Sequence, residues 1–167
     1  ISSIPVMDMI ITDFDIINAN DEITNHVSFH LKKEKCLLFN DIWKKISDIQ
    51  MHAIIYRTEL FKEINYHQTE GISYTDQEWC YYPMVKIQTV YYVNNVLYKY
   101  LLGREGQTMT PAIKRKQLNQ TLTVLKNMLK VYDHGIYTEE SKLWMKSKLM
   151  DNMSVIYKRT IIDLRDD

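Results

Sequence analysis

Two acidic side chains stand two positions apart in residues 71–79, Gly-Ile-Ser-Tyr-Thr-Asp-Gln-Glu-Trp, directly after a glycine-containing loop. Asp76 and Glu78 fall where a helix should begin. A carboxylate at such a point can be partly exposed and within reach of a substrate hydroxyl, as a general base must be. The same stretch reads Thr75-Asp-Gln-Glu78, a capping box. In that motif the threonine hydroxyl bonds an amide of the first turn and the glutamate reaches back to the threonine amide. The two uses are compatible: Glu78 can cap the helix while Asp76 is presented outward.

Other residues could also do chemistry. Asp13-Phe-Asp15 offers two hard oxygen ligands of the kind that suit Mg²⁺ or Mn²⁺. Ile16 and Ile17 follow at once, so the strand continues through the pair, which reads as an exposed strand face rather than a metal site. His52 precedes an apolar run; an imidazole can move protons or bind metals, but nothing in its spacing requires either. Arg104 sits in a glycine-flanked turn where a guanidinium could clamp a diphosphate, with Gln107 and Thr108 as neutral donors. Of the aromatic residues Tyr74, Trp79, Tyr81 and Tyr82, Trp79 could stack on a sugar ring and the last two read as core. The pairs His26/His30 and His67/His134 have no metal-ligand spacing. Cys36 and Cys80 form no Cys-x-x-Cys motif and read as buried free thiols.

In their order and spacing, residues 71–79 and residues 98–108, Tyr-Lys-Tyr-Leu-Leu-Gly-Arg-Glu-Gly-Gln-Thr, resemble the acceptor-side half of family 2 glycosyltransferases. Those enzymes carry an acidic loop of the form (Glu/Thr)-Asp-x-Glu, then a strand pair ending in Tyr-x-Tyr and an Arg-x-Gly-(Ser/Gln) turn. The likeness covers roughly residues 7–110. It implies a partial GT-A type α/β fold and transfer of a sugar from a nucleoside-diphosphate donor to an acceptor hydroxyl with inversion. By resemblance, Asp76 and Glu78 are the catalytic acids, with Asp76 the base, and His52, Trp79, Arg104 and Gln107 contact substrate. The partners implied are a nucleotide-sugar donor and a sugar or lipid-linked acceptor, in the cytoplasm. A divalent cation, Mg²⁺ or Mn²⁺, would neutralise the leaving diphosphate in a full-length parent. None is expected in this chain alone: the family's nucleotide-binding β-α-β opening and its metal motif are not found, and Asp13/Asp15 matches the strand after that motif. The alternative expectation is a non-catalytic α+β binding or assembly module.

These groups must be positioned by a small frame. A chain of 167 residues suits one compact unit with a real core. Twenty-one basic residues balance twenty-one acidic ones, so no global field recruits nucleic acid or an anionic membrane. No apolar run approaches the roughly 18 residues that span a bilayer, and the opening lacks the features of a signal peptide. Without an initiator Met, the chain reads as a piece of something longer or a processed product, and pairing with a second copy is left open.

The pattern predicts an α+β fold in two parts: an acceptor-side portion over residues 1–109 and a C-terminal helical hairpin over 110–167. Strands are expected at 9–17 and 51–56, and a hairpin joining 27–31 to 36–39. Short helices are expected at 40–48 and 58–63, and one from Asp76 that Pro83 ends early. Asn94-Asn95, between 89–93 and 96–100, reads as a hairpin turn. Thr110-Pro111 opens a helix with a Leu118/Leu122/Leu125/Leu129/Tyr132 stripe. Thr138 begins a second, with Leu143, Met150, Met153, Tyr157, Ile161 and Leu164 on one face; docking is expected through the Leu118 face, with the Met150/Met153/Tyr157 stripe the more available to a partner.

Overall fold

The computed structural model describes residues 6–33, 35–103, 117–135 and 137–161. Its centre is β1 (Met9–Ile17), an apolar run with Met9, Ile11 and Phe14 fully buried. A strand buried on both faces belongs inside a sheet covered on both sides. One edge of β1 pairs in parallel along its whole length with β5 (Thr89–Leu101), from Met9↔Val90 to Ile17↔Leu101. The other edge is shared: β4 (Ile54–Tyr56) lies antiparallel to Met9–Ile11, and β2 (Ile23–Val27) antiparallel to the stretch from Phe14 to Ile17. Short β3 (Cys36–Leu38) pairs antiparallel with the first residues of β5. The fold is α+β with a mixed sheet, as the sequence pattern predicts.

Asp8 fastens the entry to β1. Its carboxylate accepts the amides of Gln88 and Thr89 at 3.0 Å each, the Thr89 hydroxyl at 3.0 Å, and an Arg57 N–H at 3.2 Å. One side chain thereby ties the starts of β1 and β5 to the residue that precedes α2 (Thr58–Glu63).

Three expectations about strands are corrected. Asn94-Asn95 does not turn the chain. Thr12 pairs with Val93 and Asp13 with Val96, so the two asparagines are absorbed as an irregularity and β5 runs on beside β1. Such a bulge accommodates the extra residues without ending the strand. Residues 27–31 and 36–39 do not form a hairpin; β2 returns along β1 instead. Its turn is built by Asn18, whose Oδ1 accepts the amides of Asn20 and Glu22, with Asp21 at φ 61°. The strand expected over 51–56 is confined to β4, because Met51–Ala53 is a 3₁₀ turn. Cys36 is exposed, whereas Cys80 is buried, which pushes its thiol up to about 12.

The helices cover the sheet. α1 (Phe39–Ile42) continues into a 3₁₀ turn, Trp43–Ile46. α3 (Asp76–Tyr81) gives way to the 3₁₀ turn Tyr82–Val85 at Pro83, as expected. α4 (Leu118–His134) and α5 (Glu139–Ile161) pack against each other. The expected start at Thr110-Pro111 lies outside the described residues, as does Leu164. α4 docks through Thr121, Val124, Leu125 and Met128, with Leu118, Leu122, Leu129 and Tyr132 partly buried beside them. Thr138 caps α5 by accepting the Ser141 amide at 3.1 Å.

On α5 the stripe read as available to a partner stays exposed, and a different face docks. Trp144, Met145, Leu149 and Ile156 are buried, while Leu143, Met150, Met153, Tyr157 and Ile161 are exposed. Trp144 Nε1 donates to the Ile46 carbonyl at 3.3 Å, and the Tyr81 hydroxyl donates to the Met145 carbonyl at 3.3 Å. Polar tips of two large buried rings therefore fix the face that docks.

Candidate functional site

The acidic segment is built around Glu78, whose side chain is fully buried. Its carboxylate accepts the Thr69 amide at 2.9 Å, the Thr69 hydroxyl at 2.8 Å and the Asn127 side-chain amide of α4 at 3.1 Å. A buried carboxylate needs several donors to offset its lost hydration. These partners correct the capping expectation. Thr75 has helical backbone angles and makes no side-chain cap bond, and its hydroxyl instead accepts from Gln68 at 2.7 Å. Glu78 anchors the loop of residues 64–75, its oxygens taken by fixed donors. A second tie runs from the Ser73 amide to Gln120 of α4 at 2.9 Å.

The anchored loop and α3 frame an open cleft of about 480 Å³ lined by Met51, Gln68, Ser73, Tyr74, Asp76 and Trp79. Asp76 is half-buried there. Burial pushes its carboxyl above the ordinary range, partly offset by backbone amides of Asp76 and Gln77. Trp79 stacks on Phe61 at 4.7 Å and meets Tyr56 edge-on at 5.5 Å, which fixes its ring. Tyr74 holds φ at 69°. That conformation costs a bulky residue about 1–3 kcal/mol and persists only where the surroundings impose it. A half-buried carboxylate flanked by a fixed indole and a constrained tyrosine can orient a polyhydroxylated ring and take a proton from it.

The other expected site residues do not join them. His52 follows cleft residue Met51, yet its ring lies between Tyr98 at 5.0 Å and Tyr100 at 4.7 Å, with Phe14 edge-on at 4.3 Å. Burial pushes its pKa down, and its buried Nε2 has no hydrogen-bond partner among the described residues. His52 is thus part of an aromatic stack on the sheet, not a lining of the Asp76 cleft. Arg104 and Gln107 lie outside the described residues. Tyr81 is core, as expected; Tyr82 is half-buried.

Asp13 and Asp15 are also corrected, since both are buried rather than on an exposed strand face. Asp13 accepts the Tyr92 hydroxyl at 2.7 Å, and Asp15 accepts from His26 Nδ1 at 2.8 Å. Ser28 Oγ lies 3.0 Å from the Tyr92 hydroxyl, which extends the network. The pair does not fit a divalent cation: each carboxylate is committed to a protein donor. Among the described residues no group of three or more His, Cys, Asp or Glu is arranged to hold a metal ion.

Thr69, Gln120 and Asn127, which set the loop, were not among the residues the sequence singled out. They lie 9 to 58 positions from their partners and share no local motif. Among the described residues no helix is long and apolar enough to cross a membrane. Compared with known proteins, the chain matches no protein-family model, no curated protein and no solved structure.

Proposed function

We propose that this chain is the acceptor side of a glycosyltransferase that moves a sugar from a nucleoside-diphosphate donor to an acceptor hydroxyl with inversion. The observation that carries this reading is the pairing of Asp76 and Trp79 in one open cleft while the neighbouring acid, Glu78, is locked into the fold. A carboxylate raised by burial is a stronger base than a solvated one, which suits proton removal near neutral pH. In the proposed step the acceptor hydroxyl is held against Trp79 and Tyr74 and donates its proton to Asp76. Its oxygen bonds to the sugar C1 from the face opposite the diphosphate, whose bond to C1 breaks as the diphosphate departs with the electron pair. Single displacement inverts C1.

The donor-binding half is proposed to lie outside these residues. No step is assigned to a cation, because the described residues offer no ligand set for one.

The test is sugar transfer by the longer polypeptide carrying this segment, with Asp76→Asn. Asparagine keeps the size and cannot accept the proton, so turnover should fall about 10²–10⁴-fold while donor binding is kept. Turnover within about twofold of wild type would remove Asp76 as base. A second reading, a non-catalytic assembly module, draws support from the exposed α5 stripe of Leu143, Met150, Met153 and Tyr157. It requires concentration-dependent self-association that Met150→Glu abolishes, and a monomer by ultracentrifugation would exclude it for this chain.

A further inference from the structure

The loop that lines the Asp76 cleft also walls a second cavity. This cavity, about 470 Å³, lies where the loop start meets the Tyr82–Val85 turn and the last turn of α4. Its volume falls within the range of small-molecule sites. Tyr66, Tyr82 and Val131 give it an apolar wall, and the two tyrosine rings meet edge-on at 5.7 Å. Phe61 at 5.1 Å and Trp79 at 6.1 Å also meet the Tyr66 ring edge-on and fix it where it lines the cavity.

The polar lining is one-sided. Lys86, His67 and His134 face the cavity and no carboxylate lines it. Lys86 is exposed and has no ion pair among the described residues. His134 donates Nδ1–H to the Lys130 carbonyl at 2.8 Å, which leaves Nε2 as its uncommitted polar atom. The cavity adjoins the C-terminal end of α4, whose dipole would oppose an anion with roughly half a charge. Two of its last carbonyls are already engaged: Lys130 accepts from His134, and Val131 accepts from the Gly135 amide. The full charge of Lys86 therefore sets the sign of the site.

We propose that this cavity is a second ligand site that takes a small aromatic carboxylate, its ring against Tyr66 and Tyr82 and its charge on Lys86. The site goes beyond the transfer reading and does not depend on it.

The test is amide-resolved NMR of the whole chain titrated with benzoate, 4-hydroxyphenylacetate and indole-3-acetate, and with the neutral 4-hydroxyphenylacetamide. At least one acid should give saturable shifts at the amides of His67, Lys86 and His134. The neutral amide, and the acid against Lys86→Gln, should bind roughly tenfold more weakly. Asp76→Asn should leave this binding unchanged, which separates failure here from failure of the catalytic reading. The proposal is overturned if none of the three acids shifts these amides saturably by about 10 mM, if acid and amide bind equally, or if Lys86→Gln has no effect.

Discussion

Asp76 and Glu78 are the same chemistry two positions apart with opposite fates. Glu78 points into the protein, where Thr69 and Asn127 meet it, while Asp76 one turn-edge away borders the cleft. The motif showed that acids stand at this helix start but assigned their roles by local capping. Which acid is buried was decided by Thr69 and by Asn127, a residue on another helix. Glu78→Ala should strand those donors and lower unfolding stability by about 3 kcal/mol or more, read by urea denaturation; a loss under about 1 kcal/mol would show that the loop is not held this way. Asp76→Asn should do the reverse. Burial raises the Asp76 carboxyl, so its ionised form is disfavoured in the folded state and the wild type gains stability as pH falls through that raised value. The Asn variant should therefore be the more stable protein at pH 7, with its advantage gone below the ordinary carboxylate range. Equal stability at both pH values would contradict a half-buried, ionised Asp76.

Among the elements, local signals located segments better than they located partners. Pro83 ended α3 as expected, and Thr138 capped α5. Asn94-Asn95 is a sound turn signal in isolation, but continuing β5 alongside β1 keeps the parallel ladder that a hairpin would have cut short. α5 was harder to read because it has two apolar stripes, both at helical spacing: Leu143/Met150/Met153/Tyr157 and Trp144/Met145/Leu149/Ile156. Periodicity cannot choose between them; Trp144 and its bond to Ile46 do. Leu149→Ala should accordingly cost about 2–5 kcal/mol. Met150→Lys, on the exposed stripe, should stay within about 0.5 kcal/mol of wild type. Thermal or urea unfolding of both variants checks this, and reversed magnitudes would mean that the other face docks.

At the scale of the molecule, one half-buried fastening joins three distant parts of the chain. Burial pushes the Asp8 carboxyl up, but the amides of Gln88 and Thr89, the Thr89 hydroxyl and Arg57 outweigh it and hold it below the ordinary range. A carboxyl depressed in the folded state contributes stability that is present above its unfolded pKa and lost as pH falls through the folded value. Unfolding free energies of wild type and Asp8→Asn should thus differ at pH 7 and converge as pH falls through the depressed folded value. A constant gap would mean that the carboxylate charge is not what the cluster recognises.

The same fastening sets a clock on synthesis. Asp8 and Thr89 stand 81 positions apart, and β1 has β5 as its partner along its full length. A ribosome adding about 5–20 residues per second would hold β1 waiting some 4–16 s for that partner. During the wait β1 has only its short antiparallel neighbours, β2 and β4, to cover one edge, and its apolar faces stay open to whatever else is nearby. Nascent chains stalled before β5 emerges should be captured by holdase chaperones and digested readily. Chains that have cleared the exit tunnel beyond Leu101 should resist protease, and resistance gained earlier would show that the parallel pair is not the step that closes the core.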